Sequence, residues 1–400
     1  MAFDQINPAI PALTKTRDEK ARSNFLRSFR RYIFEDLARV MREDYATQVA
    51  SRSHAQGAPD AEEIHRLMRQ RSSFQFYSAL RVASQDLLYQ VVRPPIERMY
   101  RVSASTAKST RSAKGRARHG RTARLHLEPG LPVPRSVSAV DIHLMPGSYT
   151  AAYADDDMAM GAVYDARLRI STFGVFGPDL DDIGQSVAQH LRALKPSFQP
   201  RRILDLGCTV GHNTLPWRQA FPRAELHGID VAAPCLRYAY QRANTLRMPV
   251  NFWQMNAKHL QFPDHHFDVV FSSMFLHEVP KRDIPVVLRE AYRVLRPGGV
   301  MLHMELPPAS AIHPYDSFYL DWDGRYNNEP YYRSFRAMNP RAAVGAAGFK
   351  PHDFFEWVVP SQHAARFIDP LVEESPPEST DDRLGRLAQG VKWYVFGARK

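Results

Sequence analysis

The sequence predicts an α/β protein whose mainly parallel sheet is covered by helices on both faces. Short apolar runs alternate with helical patterns from about residue 200 onward, and this alternation is typical of parallel strands joined by crossover helices. The stretch RRILDLGCTVGHNT, residues 201–214, joins one apolar run to the next helical pattern through a glycine turn. A ligand is expected at this turn, because such sheets bind ligands beyond the carboxyl ends of their strands.

A helical region precedes the sheet. Residues 21–52 and 60–92 are predicted helices, and in the second the apolar side chains recur at three- and four-residue spacing. Asp60 can cap this helix. Pro94-Pro95 is expected to end it, because proline lacks the backbone donor and clashes with the preceding turn. The sequence therefore predicts a helical N-terminal region over residues 1–100.

A basic segment follows. Residues 101–124 hold eight basic residues and no acidic ones, and such a segment cannot bury enough apolar surface to offset its ordering entropy. A flexible basic linker is therefore expected over 101–135. Residues 1–135 carry 25 Lys+Arg against 13 Asp+Glu, whereas the rest of the chain carries 28 against 29. The segment leaves open a nucleic-acid partner, an anionic membrane surface or partner, or a plain solvated linker.

The remaining residues, 136–400, are predicted to form one domain with a helix from Asp181 to Leu194 ahead of the first strand. The predicted strands are 202–206, 225–229, 250–255, 267–272, 299–305, 352–358 and 391–397. The predicted helices that alternate with them are 213–220, 233–246, 283–295 and 333–347.

The glycine turn does not match two common nucleotide sites. In DLGCTVG, the spacing from Gly207 to Gly211 differs from the G-x-G-x-x-G of a dinucleotide site, and no Gly-Lys-Ser/Thr follows as in a P-loop. Asp205, just before the glycines, would repel a phosphate. A carboxylate here suits a ligand that carries positive charge. A second acid, Asp230, closes the next strand in AELHGID.

These motifs, with FWQMNAKHLQFPDHHFDVVFSSMFLHEVP and LREAYRVLRPGGVMLHMEL, resemble those of the class I S-adenosylmethionine-dependent methyltransferases. The similarity is to the branch with the ubiquinone- and menaquinone-type enzymes, and it covers residues 185–305 and the final WYVFGARK. It implies a Rossmann-like seven-stranded sheet in the order 3-2-1-4-5-7-6, with the last strand antiparallel and helices on both faces. It also implies S-adenosyl-L-methionine as the cofactor.

The resemblance further implies which residues contact the cofactor. Asp205 and the backbone around Gly207 would meet its amino-acid end. Asp230 would accept both ribose hydroxyls, Asn256 and its neighbour would lie at the adenine, and Phe275 would lie near the methionine portion. Asn256 departs from the Asp that is usual in the family. The predicted cofactor-binding residues are Asp205, Gly207, Cys208, Gly211, Asp230, Val231, Asn256, Ala257 and Phe275.

A candidate catalytic residue follows the fourth strand. His277, in FLHEVP, is expected at the mouth of the site, where a pKa near neutrality would let it act as a general base. The alternative is that His277 caps or packs at the next helix. Glu278 is expected to face solvent or to start that helix. No metal site is predicted, because Cys208 and Cys235 do not show metal-ligand spacing.

The acceptor pocket has two candidate segments, both rich in aromatic residues: 145–175 and an insertion near 306–335. An aromatic lining suits a small, flat or apolar molecule, whereas the alternative is a packed subdomain without substrate contact. The predicted function is S-adenosylmethionine-dependent methylation of a small, aromatic or apolar molecule. Two alternatives stay open: a nucleic-acid methyltransferase that uses the basic segment, and an inactive methyltransferase-like scaffold.

The chain is expected to be cytoplasmic and without a membrane span. No stretch approaches eighteen uncharged apolar residues, and the first twenty residues lack the apolar core of a signal peptide. Two cysteines cannot build a disulfide framework, which fits a reducing compartment. A homodimer through the N-terminal helices is a further hypothesis.

Overall fold

One sheet organises the structure, a computed structural model that describes residues 15–50, 59–107, 123–152, 157–363 and 392–400. The strands of this sheet are β1 (Arg124–His126), β2 (Arg202–Leu206), β3 (Glu225–Asp230), β4 (Asn251–Gln254), β5 (Phe267–Ser273), β6 (Leu295–Glu305), β7 (Phe354–Pro360) and β8 (Lys392–Arg399). They pair in the order β1-β4-β3-β2-β5-β6-β8-β7. Strand β8 runs antiparallel to both β6 and β7, and the other neighbouring pairs are parallel. The mainly parallel α/β sheet is thus confirmed.

The predicted number of seven strands is wrong, although the predicted order holds from β4 to β7. Strand β1 adds an eighth strand beside β4, with Leu125 opposite Phe252. It lies inside the segment 101–135 that was expected to be a flexible linker. Leu125 and Leu127 pack against the core on this side of the sheet. Three residues are too few to show an alternating pattern, so the pairing is decided by the neighbouring strand.

The helices of the described residues are α1 (Arg17–Arg31), α2 (Ala38–Gln48), α3 (Ala61–Met68), α4 (Ser72–Ala107), α5 (Arg135–Ser138), α6 (Ala159–Ser171), α7 (Asp182–Leu194), α8 (Trp217–Ala220), α9 (Ala233–Thr245), α10 (Ile284–Val294), α11 (Pro314–Tyr326), α12 (Tyr332–Arg336) and α13 (Pro340–Ala346). A π-helical segment, Tyr32–Leu37, joins α1 to α2. The helical N-terminal region is therefore present.

Two predictions about this region are corrected. The helix expected at 60–92 is divided into α3 and α4, and α4 continues past Pro94-Pro95 to residue 107. Val92 and Ile96 are almost fully buried on either side of the prolines, and their packing outweighs the helix-breaking effect. Residues 101–107 are thus helical rather than part of a linker. Residues 108–122, which hold most of the basic segment, lie outside the described residues.

Other helices are shorter than predicted. The helix expected at 213–220 is reduced to α8, which begins at Trp217. The residues between the glycine turn and α8 form turns instead. The helix expected at 333–347 is divided into α12 and α13, since Asn339 caps the second helix by accepting from the backbone of Ala342.

The core consists of two apolar layers, one on each face of the sheet. Ile203 belongs to the layer that α7 and α9 cover, whereas Leu204 and Leu206 belong to the layer that α10 and α13 cover. Successive residues of β2 therefore point to opposite buried faces. This explains why the strand is a continuous apolar run in the sequence.

The N-terminal helices pack on the insertion at 306–335. Ile33, Met41 and Ile64 share one buried cluster with Tyr315 and Phe318 of α11. The Tyr77 hydroxyl donates to the Tyr319 hydroxyl at 2.9 Å, and Arg81 pairs with Asp323 at 2.6 Å. Much of the aromatic surface of the insertion is therefore packed against the N-terminal region. No helix of the described residues combines the length and apolarity needed to cross a membrane.

The closest backbone approach in the sheet generates a stability prediction. Gly397 of β8 lies opposite β6, and a Cβ atom there would overlap the carbonyl oxygen of Met301. We expect Gly397→Ala to lower the free energy of unfolding by about 1–3 kcal/mol, because the strands must separate to fit the methyl group. Denaturant unfolding measures the change.

Gly345→Ala is the matched control for this substitution. Gly345 lies in α13, and a Cβ there would have no atom within 4 Å. Alanine should therefore leave the stability equal or raise it by up to about 1 kcal/mol. If the two substitutions changed the free energy of unfolding equally, the close approach of Gly397 to Met301 would be contradicted.

Candidate functional site

The glycine turn lies at the carboxyl ends of β2 and β3. The backbone N–H groups of Gly207 and Cys208 both donate to the carbonyl of Ile229 at 2.9 Å, which joins the turn to β3. Gly207 and Gly211 have φ values of 72° and 75°, a region that glycine adopts without strain. A Cβ at Gly207 would also overlap the ring of Phe275. The glycine therefore lets this ring lie directly on the turn.

Asp230 connects the turn to the end of β3. One carboxylate oxygen accepts from the backbone of Thr209 and the other from the backbone of Ala232, each at 2.9 Å. Burial raises the pKa of Asp230 to about 6, although these hydrogen bonds act in the opposite direction. The side chain is surrounded by protein and still lines a cavity. A carboxylate in this position can accept further hydrogen bonds from a ligand.

Asp205 is the more deeply buried of the two acids, with 3% of its surface exposed. It accepts a hydrogen bond of 2.6 Å from the Thr214 hydroxyl. Burial, with a smaller contribution from the negative charge of Asp230, raises the pKa of Asp205 to about 7. Near neutral pH, a positively charged group beside Asp205 would therefore favour its ionised form.

A cavity of about 370 Å³ opens at this edge of the sheet, and a recess of about 30 Å³ adjoins it. The structure brings most of the predicted cofactor residues to these two spaces. The cavity is lined by Gly207, Asp230, Val231, Asn256, Ala257, Phe275 and His277, and the recess by Asp205, Gly207 and Cys208. Gly211 lines neither space and shapes the turn instead.

Two of these residues also stabilise the local structure. The Oδ1 atom of Asn256 accepts from the backbone of Lys258 at 3.0 Å, which forms a turn after β4. Cys208 is buried, and its side chain packs at Gly228 in the neighbouring strand. Burial raises the pKa of the Cys208 thiol well above its usual range, so this cysteine is a packing residue and not a reactive thiolate.

His277 lies between two buried carboxylates. Its Nδ1–H donates to Oε2 of Glu305 at 2.7 Å, and its Nε2 lies 3.4 Å from Oε2 of Glu329. Burial by itself would lower the pKa of His277, but the two carboxylates outweigh it and raise the pKa to about 9. At neutral pH this imidazole carries its proton and has no free nitrogen for a substrate proton. The role of His277 as a general base stays a prediction, and its contacts with Glu305 and Glu329 favour the alternative of a packing role.

Glu305, at the end of β6, was not recognised from the sequence. Its side chain is fully buried and accepts from the backbone N–H groups of Phe275 and Leu276, as well as from His277. One carboxylate therefore holds the whole loop after β5. The only signal was an acid at the end of the predicted strand 299–305, a place that often faces a ligand.

A second polar network lies beside the first. Glu278 accepts from the Tyr149 hydroxyl at 2.7 Å and lies 3.1 Å from Nε2 of His143. The other nitrogen of His143 lies 3.3 Å from Glu329. Glu278 was expected to face solvent or to start the next helix. Its side chain is instead 17% exposed and lines the cavity. Its partners come from distant segments, so no local pattern could have revealed its orientation.

Comparison with known proteins agrees with this site. A family model described as a methyltransferase domain matches residues 203–299. A demethylmenaquinone methyltransferase of Thermus thermophilus is 38% identical over 109 residues, which are 27% of this chain and 49% of the relative. A fatty-acid O-methyltransferase of Mycolicibacterium smegmatis is 30% identical over 208 residues, which are 52% of this chain and 71% of the relative. The chain thus belongs to the class I S-adenosylmethionine-dependent methyltransferases, and its similarity to the menaquinone-type enzyme covers about half of that relative.

The similarity is limited in extent. A malonyl-[acyl-carrier protein] O-methyltransferase of Halorhodospira halophila is 34% identical over 30% of this chain and 39% of its own length. The chain therefore spans about half or less of the first two relatives that it matches. Among solved structures, a phosphoethanolamine N-methyltransferase of Haemonchus contortus aligns with 56% of this chain and 55% of its own, at 18% identity and a TM-score of 0.37.

The buried ion pair generates a second prediction. Glu305→Gln should lower the free energy of unfolding by about 3–5 kcal/mol, because the His277 imidazolium loses its closest counter-charge. The pKa of His277 should fall from about 9 toward or below its ordinary value. Urea unfolding and a histidine NMR titration measure the two effects.

Glu43→Gln is the control for this substitution, because Glu43 pairs with Arg39 on an exposed helix face. Its effect on stability should stay within about 0.5 kcal/mol. A His277 titration that is unchanged in Glu305→Gln would contradict the assigned ion pair.

Proposed function

We propose that the chain binds S-adenosyl-L-methionine and transfers its methyl group to a small molecule. The observation that carries the proposal is the junction of the glycine turn with Asp230 at the cavity. This junction presents a carboxylate and a close backbone surface together. The family membership of residues 203–299 supports the same ligand.

The residues at the site fit this cofactor. Each oxygen of Asp230 has accepted one backbone hydrogen bond and retains capacity for the ribose hydroxyls. Asp205, in the adjoining recess, would receive the positively charged amino-acid end. Val231 and Asn256 line the part of the cavity next to Asp230 and would flank the adenine.

The cavity also fits a small acceptor. Its volume lies within the range of small-molecule sites, and its lining extends beyond the cofactor residues to Tyr149, Leu320 and Tyr332. The names of the relatives cited above refer to demethylmenaquinone, malonyl-[acyl-carrier protein] and a fatty acid. These names support a small organic acceptor and leave its identity open.

The chain's own residues would act mainly by positioning and by excluding water. The cofactor supplies an electrophilic methyl group, so alignment of donor and acceptor provides most of the rate enhancement. The ring of Phe275 lies over the glycine turn and would shield the reacting centre. Where the acceptor must lose a proton, Glu278 is a carboxylate on the cavity wall that would take it at Oε2, because Oε1 already accepts from Tyr149 and lies next to His143. His277 would serve as a positioning residue for this loop.

Three expectations remain predictions. The basic segment lies mostly outside the described residues, and nothing in the structure adds support to a nucleic-acid substrate. A homodimer and a cytoplasmic location are likewise still predictions. The apolar faces of the N-terminal helices contribute to the chain's own buried clusters.

The first test removes the charge of Asp230. We expect Asp230→Asn to weaken the binding of S-adenosylhomocysteine by at least about tenfold, since charge-assisted hydrogen bonds to the ribose are lost. Isothermal calorimetry measures the affinity. Methyl transfer from S-adenosylmethionine to a panel of phenols, quinols and carboxylic acids, followed by mass spectrometry, should fall in parallel.

Asp264→Asn is the matched control, because Asp264 is an exposed acid that pairs with Arg293 away from the cavity. The affinity of the Asp264→Asn variant for S-adenosylhomocysteine should equal that of the wild-type protein. Wild-type protein that fails to bind the cofactor would refute the proposal. Methylation of RNA without methylation of any small molecule would favour the nucleic-acid alternative.

A second test uses pH. Asp205 and Asp230 have pKa values raised to about 7 and about 6, and a cationic ligand favours their ionised forms. Binding must therefore displace protons at low pH, so affinity falls as pH falls. We expect the dissociation constant of S-adenosylmethionine to rise at least about tenfold from pH 7.5 to pH 5.5. Asp205→Asn should flatten this dependence, and a flat wild-type profile would count against the assigned role of Asp205.

A further inference from the structure

Arg167 is a buried cation that has no hydrogen-bonding partner among the residues that the structure describes. It lies on α6, is 5% exposed and lines the active-site cavity. No ion pair or hydrogen bond among the described residues involves its guanidinium group, and its Nε atom is buried without a partner. Its one direct aromatic contact is the ring of Tyr164, 4.8 Å from the guanidinium carbon. Buried charges are ordinarily paired, so this arrangement is incomplete without a ligand.

The surroundings of Arg167 add to its positive charge. Two further arginines, Arg30 and Arg81, are buried on the neighbouring helices. Arg81 pairs with Asp323, whereas Arg30 donates to Ser84 and Gln85 and has no ion pair with a carboxylate within the described parts of the chain. Burial and the charges of the other two arginines lower the pKa of Arg30 to about 9. The three guanidinium groups thus form a buried cationic region with one directly paired acid.

We propose that Arg167 binds a carboxylate of the methyl acceptor. This inference rests on the proposed function, because it places the acceptor in the same cavity as the cofactor. A guanidinium presents a planar fork of N–H donors that matches a carboxylate in two parallel hydrogen bonds. The unpaired Arg167 supplies this fork at the cavity wall.

The position of Arg167 favours the acceptor over the amino-acid end of the cofactor. Arg167 lines the cavity with Tyr149 and Glu278 and does not line the recess that holds Asp205, although the Tyr164 ring that it contacts borders both spaces. Tyr149 and Glu278 belong to the polar network beyond the cofactor residues. A carboxylate held by Arg167 would therefore lie on the acceptor's side of the cavity.

The same wall defines the rest of the acceptor. Val137, Leu168 and Phe176 line the cavity together with Arg167 and provide apolar contact area. The class of acceptor that fits is an acid with one carboxylate and an apolar or aromatic body. A neutral analogue of equal size would leave the buried guanidinium unpaired and should bind more weakly.

The experiment compares acids with their amides. Octanoate and 4-hydroxybenzoate, and the two corresponding amides, are titrated calorimetrically into full-length protein saturated with S-adenosylhomocysteine. We expect each acid to bind at least about tenfold more tightly than its amide. Arg167→Met should abolish this preference, and Arg167→Lys should retain part of it, because lysine keeps the charge and loses the fork.

Two controls separate binding from folding. Arg66→Met removes an exposed arginine that pairs with Glu63 and should leave both the preference and the melting temperature unchanged. Arg167→Met should melt at the same or a higher temperature without ligand, because it removes an unpaired buried charge. If Arg167 only stabilised the fold, Arg167→Met would lower the melting temperature. A lower melting temperature would therefore count against the proposal.

The arms of the experiment also identify a different source of the carboxylate. One such result is that Arg167→Met weakens the binding of S-adenosylhomocysteine without weakening that of 5′-methylthioadenosine, which lacks the amino-acid end. In that case Arg167 binds the cofactor and the proposal is overturned. Equal binding of acids and amides by the wild-type protein also overturns it. Failure of the wild-type protein to bind S-adenosylhomocysteine contradicts the proposed function instead, and titrations of the acids without it still test Arg167.

Discussion

The carboxylate of Glu305 holds together the parts of the site that come from different strands. It lies at the end of β6 and accepts hydrogen bonds from the loop that follows β5. This loop places the ring of Phe275 on the glycine turn after β2 and directs Glu278 toward the cavity. A buried carboxylate requires several donors to offset its loss of hydration, so the loop has few alternative positions.

The N-terminal helices shape the site indirectly. They cover Tyr315, Phe318 and Tyr319 of the insertion, so these rings serve as core and not as a substrate lining. The insertion also contributes Glu329 to the cavity, together with Asp323, which pairs with Arg81 of α4. The aromatic segment 306–335 therefore lines the cavity partly with polar side chains, because the packing of its aromatic rings on the N-terminal helices determines which side chains face the cavity.

The parts of the site that the sequence predicted well share one property: their contacts are local or lie on adjacent strands. Asp205, Gly207 and Gly211 follow one strand, and Asp230 closes the next, so spacing along the chain is enough to place them at one edge of a parallel sheet. Strand β1 and the course of α4 past Pro94-Pro95 were not predicted. In both cases a neighbouring element stabilises a segment whose own pattern is weak.

By itself the sequence determined the mainly parallel sheet and the acids beside the glycine turn, because periodicity and short spacings carry that information. The order of the main strands followed from the family resemblance. Only the tertiary structure decided how the buried ionisable groups behave. His277 keeps its proton because Glu305, 28 residues away, and Glu329 lie against it. Arg167 has no hydrogen-bonded carboxylate among the described residues, because the nearby Glu278 is directed to Tyr149 and His143. A pKa or an unpaired charge depends on all nearby groups and on burial, and chain spacing specifies neither.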